Sequence, residues 1–315
     1  MAKEPKMRKF TNFIKVDNLN MPSPPIQVIS KLNPGMYDVE LTQHGELRFH
    51  EINYSSDAII DLPDPVYAQV VNDLESFMKK DTKAKFDEKG YVYKRSSLLY
   101  GQAGTGKTVL VNRIAAKVIE SGGTVLFNPN PLTLSAAFMA LDSVQPDVLT
   151  MVIFEELDEV LEHYESQLLN VLDGEIQKNN VLYMATTNHI EKIPARIKRP
   201  GRFSSVVEVR FPTPQARELY LTKKLTLNKD QLDQWVKVTE GFSIDELSET
   251  VRANYCLGQP LADVVNRIKT AKSDLAQSDE EKSEDNDWGE DYREDKESPF
   301  RVSGPPTGGM RKGRR

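Results

Sequence analysis

The sequence predicts an α/β fold: a doubly wound, parallel five-stranded sheet organised around a P-loop, followed by a small all-α lid domain. Three observations predict it. Gly101–Thr108 fits the phosphate-binding pattern G-x-x-x-x-G-K-[ST]. Short apolar runs alternate with helix-spaced segments from there to Phe211, the pattern of strands joined by crossover helices. From Pro212 onward only helix-spaced segments remain.

The chain has 315 residues, enough for one large or two modest domains. With 39% hydrophobic and 28% charged residues it can bury a core and stay soluble. The net charge of −6 gives no global pull towards nucleic acid. One cysteine, Cys256, cannot form an intramolecular disulfide, so a reducing, cytoplasmic location is expected. No apolar run approaches the roughly 20 residues of a membrane helix, and no signal-peptide pattern appears. No membrane association is expected. The four histidines are scattered and no cysteine lies near them, which argues against zinc.

Residues 1–56 read as an arm with a small β element. Lys3–Lys9 is basic and Met21–Pro25 is proline-rich, whereas Tyr37–Leu41 and Glu46–Asn53 alternate around His44–Gly45 as a hairpin would. Residues 57–211 form the predicted α/β domain. Leu62–Pro65 opens a helix over Val66–Lys80, Asp81–Lys89 is a charged connection, and Ser97–Tyr100 is the strand that enters the P-loop. A helix follows over Val109–Glu120, with Leu110, Ile114, Ala115 and Val118 on its apolar face. Gly101, Gln102, Ala103, Gly104, Thr105, Gly106, Lys107 and Thr108 are the cofactor-binding candidates. Glycines let the backbone wrap phosphate oxygens without Cβ clashes, and the helix end adds its positive dipole. The lysine reaches the β and γ phosphates, and the Thr108 hydroxyl ligates Mg²⁺.

Thr124–Phe127 is the second strand and Leu132–Leu141 a helix. The third strand, Leu149–Phe154, is apolar without alternation, as expected of a parallel strand covered on both faces. Glu155 and Glu156 follow it directly. Carboxylates at the end of a buried parallel strand point into the crevice where such sheets bind ligands, so the pair reads as a Walker B site. A helix is expected over Tyr164–Gln177, a fourth strand over Val181–Thr187 ending at Asn188, and a fifth over Val206–Phe211. Residues 212–270 hold four helices, Gln215–Leu225, Lys229–Val238, Ile244–Leu257 and Pro260–Thr270. Residues 271–315 are acid-rich, then basic at Arg311–Arg315, with too few aliphatics to offset chain entropy, and read as a disordered tail.

The P-loop, the acidic pair, Asn188 and Arg199–Pro200–Gly201–Arg202–Phe203, in that order, resemble the AAA+ ATPases of the classical AAA clade from about Asp57 to Thr270. Tyr93–Arg95, Leu168–Gly174 and Ala185–His189 are similar to the AAA domain of the mitochondrial translocases that mature the Rieske iron–sulfur protein, without their membrane anchor. Gly241–Leu247 resembles the start of a lid helix of the clade. The chain departs from the pattern at Gln102–Ala103, where Pro-Pro is usual, and at Glu155–Glu156, where an Asp is usual. It also lacks an aromatic–apolar–Gly pore loop; Phe138–Met139–Ala140 lies near that place without the glycine.

The resemblance implies ATP and Mg²⁺ as cofactors, the metal held between Thr108 and Glu155. It implies Glu156 as general base and Asn188 as the group that holds the attacking water or senses the γ-phosphate. Arg199 and Arg202 become arginine fingers for a neighbouring subunit. The expected function is a chaperone-like ATPase in a homo-oligomeric ring, hexameric or otherwise, that remodels or translocates a protein or assembly. Two alternatives stay open: a nucleic-acid-associated motor or loader, supported by Lys3–Lys9 and Arg311–Arg315, and an ATP-binding switch with weak hydrolysis, supported by the Glu155–Glu156 departure. Lys107→Ala is expected to abolish nucleotide binding; isothermal titration with ATP checks this, and unchanged affinity would refute the P-loop reading.

Overall fold

The computed structural model describes residues 12–16, 19–23, 29–52, 65–173 and 178–287. The Lys3–Lys9 arm, Trp288, Phe300 and the Arg311–Arg315 end lie outside these residues. Two compact units are present, Met1–Gln259 and Pro260–Arg315.

The first unit opens with a two-stranded antiparallel pair, β1 (Asn12–Val16) and β2 (Leu19–Ser23), in a stretch that reads from sequence as a plain arm. Its main sheet is built from β3 (Gly35–Leu41), β4 (Leu47–Ile52), β5 (Lys94–Tyr100), β6 (Thr124–Phe127), β7 (Thr150–Phe154), β8 (Val181–Thr187) and β9 (Ser205–Glu208). Their spatial order is β4-β3-β6-β7-β8-β5-β9. The five expected strands are β5 to β9, each parallel to its neighbours.

The sheet therefore has seven strands where five are expected. The β3–β4 hairpin is not a separate element: β3 runs parallel to β6, pairing Gly35 with Thr124 and Tyr37 with Leu126. The reason is visible in β3 itself. Met36 packs into the core on one face of the sheet, and Tyr37 and Val39 into the core on the other. A strand with apolar groups on both faces needs cover on both, and the sheet edge supplies it.

Helices lie on both faces. On one, α1 (Pro65–Met78) and α3 (Lys107–Glu120) pack against Leu99, Met151, Ile153, Leu182 and Met184. On the other, α4 (Pro131–Val144) and α5 (Leu157–Asp173) pack against Leu98, Val152, Phe154, Tyr183 and Ala185. Successive residues of β7 and β8 thus feed opposite layers, as the two-residue period of a strand requires. Phe138 of α4 is fully buried beside Tyr183, so this segment is a core helix and not a loop reaching for substrate.

The charged connection expected after α1 is a helix, α2 (Lys80–Glu88). Its charges are spaced to support one: Lys85 pairs with Asp81 one turn earlier at 2.9 Å. Phe86 then pins it, edge-on to Phe77 and Tyr93. Helix α5 starts seven residues before the expected Tyr164, which is where its backbone breaks helical geometry at φ −131°, ψ 24°.

The helical region that follows holds α6 (Pro214–Lys224), α7 (Lys229–Val238) and α8 (Ile244–Val251), then a π-helical turn over Arg252–Cys256. Thr213, Asn228 and Ser243 cap the three helices by accepting backbone N–H bonds, the last two through reciprocal capping boxes with Gln231 and Glu246. Buried Arg217 ties the entry of this region to α7, donating to Pro212 O at 2.9 Å and Val236 O at 3.2 Å. In the second unit, α9 (Leu261–Asp287) runs past the expected end at Thr270. The residues that continue it include Lys, Ala, Gln and Glu, which are good helix formers, so the helix extends beyond the apolar positions.

If β3 belongs to the main sheet, Tyr37→Ala should destabilise the whole first unit. A buried aromatic truncated to Ala typically costs about 3–5 kcal/mol, and the Tyr37 hydroxyl also donates to Asn33 O at 2.8 Å. Urea unfolding followed by a probe on β8 should shift with the variant; an unmoved midpoint would detach the hairpin from the sheet.

Candidate nucleotide-binding site

The parallel register brings three strand ends together. Tyr100 of β5 pairs with Thr187 of β8, and Phe154 of β7 pairs with Ala185 of β8. The residues that follow these ends, the P-loop, the acidic pair and Asn188, therefore share one edge of the sheet. Between them lies a cleft of about 490 Å³ lined by Lys107, Thr108, Glu155, Glu156 and Asn188, among others.

The loop itself needs bare backbone. Gly101, Gly104 and Gly106 take φ values of +150°, +76° and +97°. At Gly101 space is also lacking, since a Cβ there would lie 2.2 Å from Val209 O. Val209 is fixed by its own N–H, which donates to Tyr100 O at 2.7 Å. Thr105 Oγ1 donates to Gln102 O at 2.9 Å and holds the turn closed. Lys107 is the first residue of α3, and its Nζ donates to Gly101 O at 2.7 Å and Gln102 O at 2.8 Å. Burial lowers its pKa. Ala103 lines the cleft, whereas Gly101, Gln102 and Thr105 shape the loop from behind.

The acidic pair is held by residues that sequence reasoning did not single out. Asn128, directly after β6, accepts the Glu155 N–H at 2.7 Å through Oδ1. Thr186 Oγ1 accepts the Glu156 N–H at 3.4 Å. Both Asn128 and Glu156 are left-handed, at φ +43° and +52°. For a residue with a Cβ this costs about 1–2 kcal/mol, and such strain concentrates at functional sites. The legible signal for Asn128 was its place at the end of a short buried strand, the position from which such sheets bind ligands.

Glu155 Oε1 is buried and has no hydrogen-bond partner among the described residues. An ionised oxygen left so is costly unless a cation or water meets it. The exposed Thr108 hydroxyl faces the same cleft. One carboxylate and one hydroxyl suit Mg²⁺, which keeps waters and takes its remaining ligands from phosphates. The residues present therefore fit that ion.

Asn188 is exposed at the end of β8, and its direction is set by its neighbours. Thr187 Oγ1 donates to buried Asp158 Oδ1 at 2.6 Å and accepts the His189 N–H at 2.9 Å. The turn is locked on both sides of Asn188. Glu156 and Asn188 also line a second, adjoining cleft of about 560 Å³.

Arg199 and Arg202 lie outside the nucleotide cleft. Arg202 is engaged within its own chain, pairing with Asp173 and donating to Arg196 O at 2.6 Å. Arg196 in turn pairs with Glu165 and lowers its pKa. Arg199 is exposed; its carbonyl accepts the Arg202 N–H at 3.1 Å, and its side chain makes no ion pair or hydrogen bond to the described residues.

The start of α8 approaches the P-loop. Ile244 N–H donates to Gly104 O at 3.1 Å, and a Cβ on Gly104 would lie 2.7 Å from Ser243 Oγ and 3.3 Å from Asp245 Oδ2. Asp245 lines the cleft. Sequence reasoning recognised this helix start but not the carboxylate it brings.

Residues 97–211 match the family model described as ATPase family associated with various cellular activities (AAA). The chain is 27% identical over 230 residues to the vesicular-fusion protein SEC18 of Candida albicans, covering 61% of this chain and 28% of that protein. It is 27% identical over 259 residues to a proteasome-activating nucleotidase of Sulfurisphaera tokodaii, covering 70% and 65%. It is 28% identical over 169 residues to a probable mitochondrial chaperone, bcs1, of Schizosaccharomyces pombe, covering 49% and 37%. The chain thus spans between about a quarter and two-thirds of the length of these relatives. Strand order, P-loop geometry and the matched segment agree: residues 97–211 form a domain that matches the AAA ATPase family.

Proposed function

We propose that the protein hydrolyses ATP with Mg²⁺ as a member of an oligomeric ring and uses the energy to remodel or translocate a protein or assembly. The observation that carries the reading is the cleft itself. It gathers Lys107, Thr108, Glu155, Glu156 and Asn188 from three strand ends, and leaves Arg199 exposed elsewhere. The printed names of its relatives, a vesicular-fusion protein, a proteasome-activating nucleotidase and a mitochondrial chaperone, support a protein or assembly as the target. Among the described residues no helix is long and apolar enough to cross a membrane.

In this reading the Gly101–Thr108 loop wraps the phosphates, and Lys107 leaves the Gly101 and Gln102 carbonyls to reach them. Bound Mg²⁺ would supply charge neutralisation, with Thr108 and Glu155 as its protein ligands. Glu156 accepts the proton of the attacking water, and its strained backbone holds the carboxylate at the cleft edge. Asn188, aimed by the Asp158–Thr187 bond, positions that water. Both face the second cleft, the open side from which a neighbour can approach. Arg199 is free to serve a neighbour's nucleotide, whereas Arg202 would first have to leave Asp173. Residues 57–211, together with the β3–β4 hairpin that joins their sheet, are taken as the ATPase domain, and 212–270 as its lid.

Glu156→Gln should bind ATP with near-parental affinity and lose turnover by about 10²–10⁴-fold, the usual worth of a general base. A steady-state phosphate-release assay beside a binding titration checks it; parental turnover would move the base to another group.

Arg199→Ala should likewise lose turnover while ATP affinity is kept, by about 10³-fold or more if it acts as a finger. Mixing Arg199→Ala with Glu156→Gln subunits should restore part of the rate, because some interfaces then pair an intact finger with an intact base. Specific activity that is independent of protein concentration, from a strictly monomeric species, would rule out the ring.

A further inference from the structure

The start of α8 is an unusual neighbour for a phosphate site. A helix N-terminus beside a P-loop would ordinarily offer free N–H groups and positive dipole charge to an anion. Here several of those groups are engaged within the chain. Ile244 N–H donates to Gly104 O at 3.1 Å, Glu246 N–H to Ser243 Oγ at 3.1 Å, and Ser243 N–H to Glu246 Oε2 at 2.6 Å. Ser243 and Asp245 fill the space over Gly104, and the Asp245 carboxylate has no hydrogen bond or ion pair to the described residues. Lys107 is the one cationic side chain lining the cleft among the described residues, against three carboxylates: Glu155, Glu156 and Asp245. Glu155 and Glu156 have roles in metal binding and proton transfer under the proposed function; Asp245 has none.

We propose that Asp245 is an affinity-determining residue of the nucleotide cleft. Its carboxylate, carried onto the P-loop by the first turn of α8, opposes phosphate charge, so phosphate bound in the cleft pushes on the start of α8 where it meets Gly104. The contact is self-complementary when the cleft holds no phosphate: the loop's Gly104 carbonyl meets an N–H, and the helix dipole meets its own Asp and Glu. Adding a triphosphate next to Asp245 brings like charges within a few ångströms in a partly screened site, where repulsion is felt strongly. The nucleotide's phosphate charge thus becomes a force on the lid helix, greatest for ATP and vanishing for an uncharged nucleoside.

This inference rests on the reading of the cleft as a nucleotide site. The test is the affinity of the full chain for Mg-ATP, Mg-ADP, AMP and adenosine, for the parent, Asp245→Asn and Asp245→Glu, at low and high salt. Asp245→Asn should tighten Mg-ATP binding by about three- to tenfold, Mg-ADP less, and adenosine not at all. The gain should shrink as salt rises, because exposed charges are screened. Asp245→Glu, which keeps the charge, should not tighten binding. Equal weakening of all four ligands by Asp245→Asn would make the carboxylate a ribose hydrogen-bond acceptor and overturn the proposal, as would unchanged affinities. If the parent binds none of the phosphorylated ligands, it is the nucleotide reading that falls.

Discussion

Three parallel strands ending in step set the chemistry of this protein. Tyr100 faces Thr187 across one ladder and Ala185 faces Phe154 across the next. Only in this register do the P-loop, the Glu155–Glu156 pair and Asn188 emerge side by side. A slip of one residue in β8 would turn its whole inner set of side chains to the other face, burying Asn188 or replacing it with Thr187. Register is secured by the core: Leu182 and Met184 fill one layer, Tyr183 and Ala185 the other, and both are packed by helices. The site's precision is thus inherited from apolar packing that never touches a ligand.

The loop that wraps phosphate is fixed from behind in the same manner. Gly101 is pressed against Val209 O, and Val209 is bonded to Tyr100, so the first residue of the loop is clamped between two strands, β5 and the end of β9. Opposite it, Asn128 and Thr186 hold the backbone of the acidic pair, and one of these carboxylates ends in a buried oxygen with no hydrogen-bond partner among the described residues. Rigid backbone surrounds two groups that are unsatisfied or strained, Glu155 Oε1 and Glu156. That combination is what a site prepared for a charged ligand requires, since the energy of preparation is spent in folding and not at each turnover.

Much of this was legible in the sequence, and the failures have physical causes. The strands Thr124–Phe127 and Val181–Thr187 and the helix Lys229–Val238 match residue for residue, because each is a strongly apolar or well-capped segment between clear breaks. The β3–β4 hairpin was recognised, but its membership of the sheet was not: alternation describes a strand's faces and not its partners. Helix α2 was missed because its helicity comes from Lys and Asp one turn apart and a single anchoring Phe86, neither of which forms a periodic apolar face. In the site, motif residues were readable because phosphate chemistry demands a fixed spacing. Asn128 and Asp245 were not, since each reaches the cleft only through tertiary placement: one by following a neighbouring strand, the other from a helix more than a hundred residues further along the chain.

The hairpin at the start of the sheet also determines where the sheet stops. Without it β6, short and apolar, would be an open edge able to pair with any exposed strand. With it, one boundary becomes β4, whose outward Arg48 pairs with Glu46 and whose His50 lies 3.2 Å from Glu40, and the other is four-residue β9. A charged edge and a very short one are how sheet proteins avoid stacking edge to edge. Wherever copies of this chain meet, such margins disfavour the addition of an eighth strand.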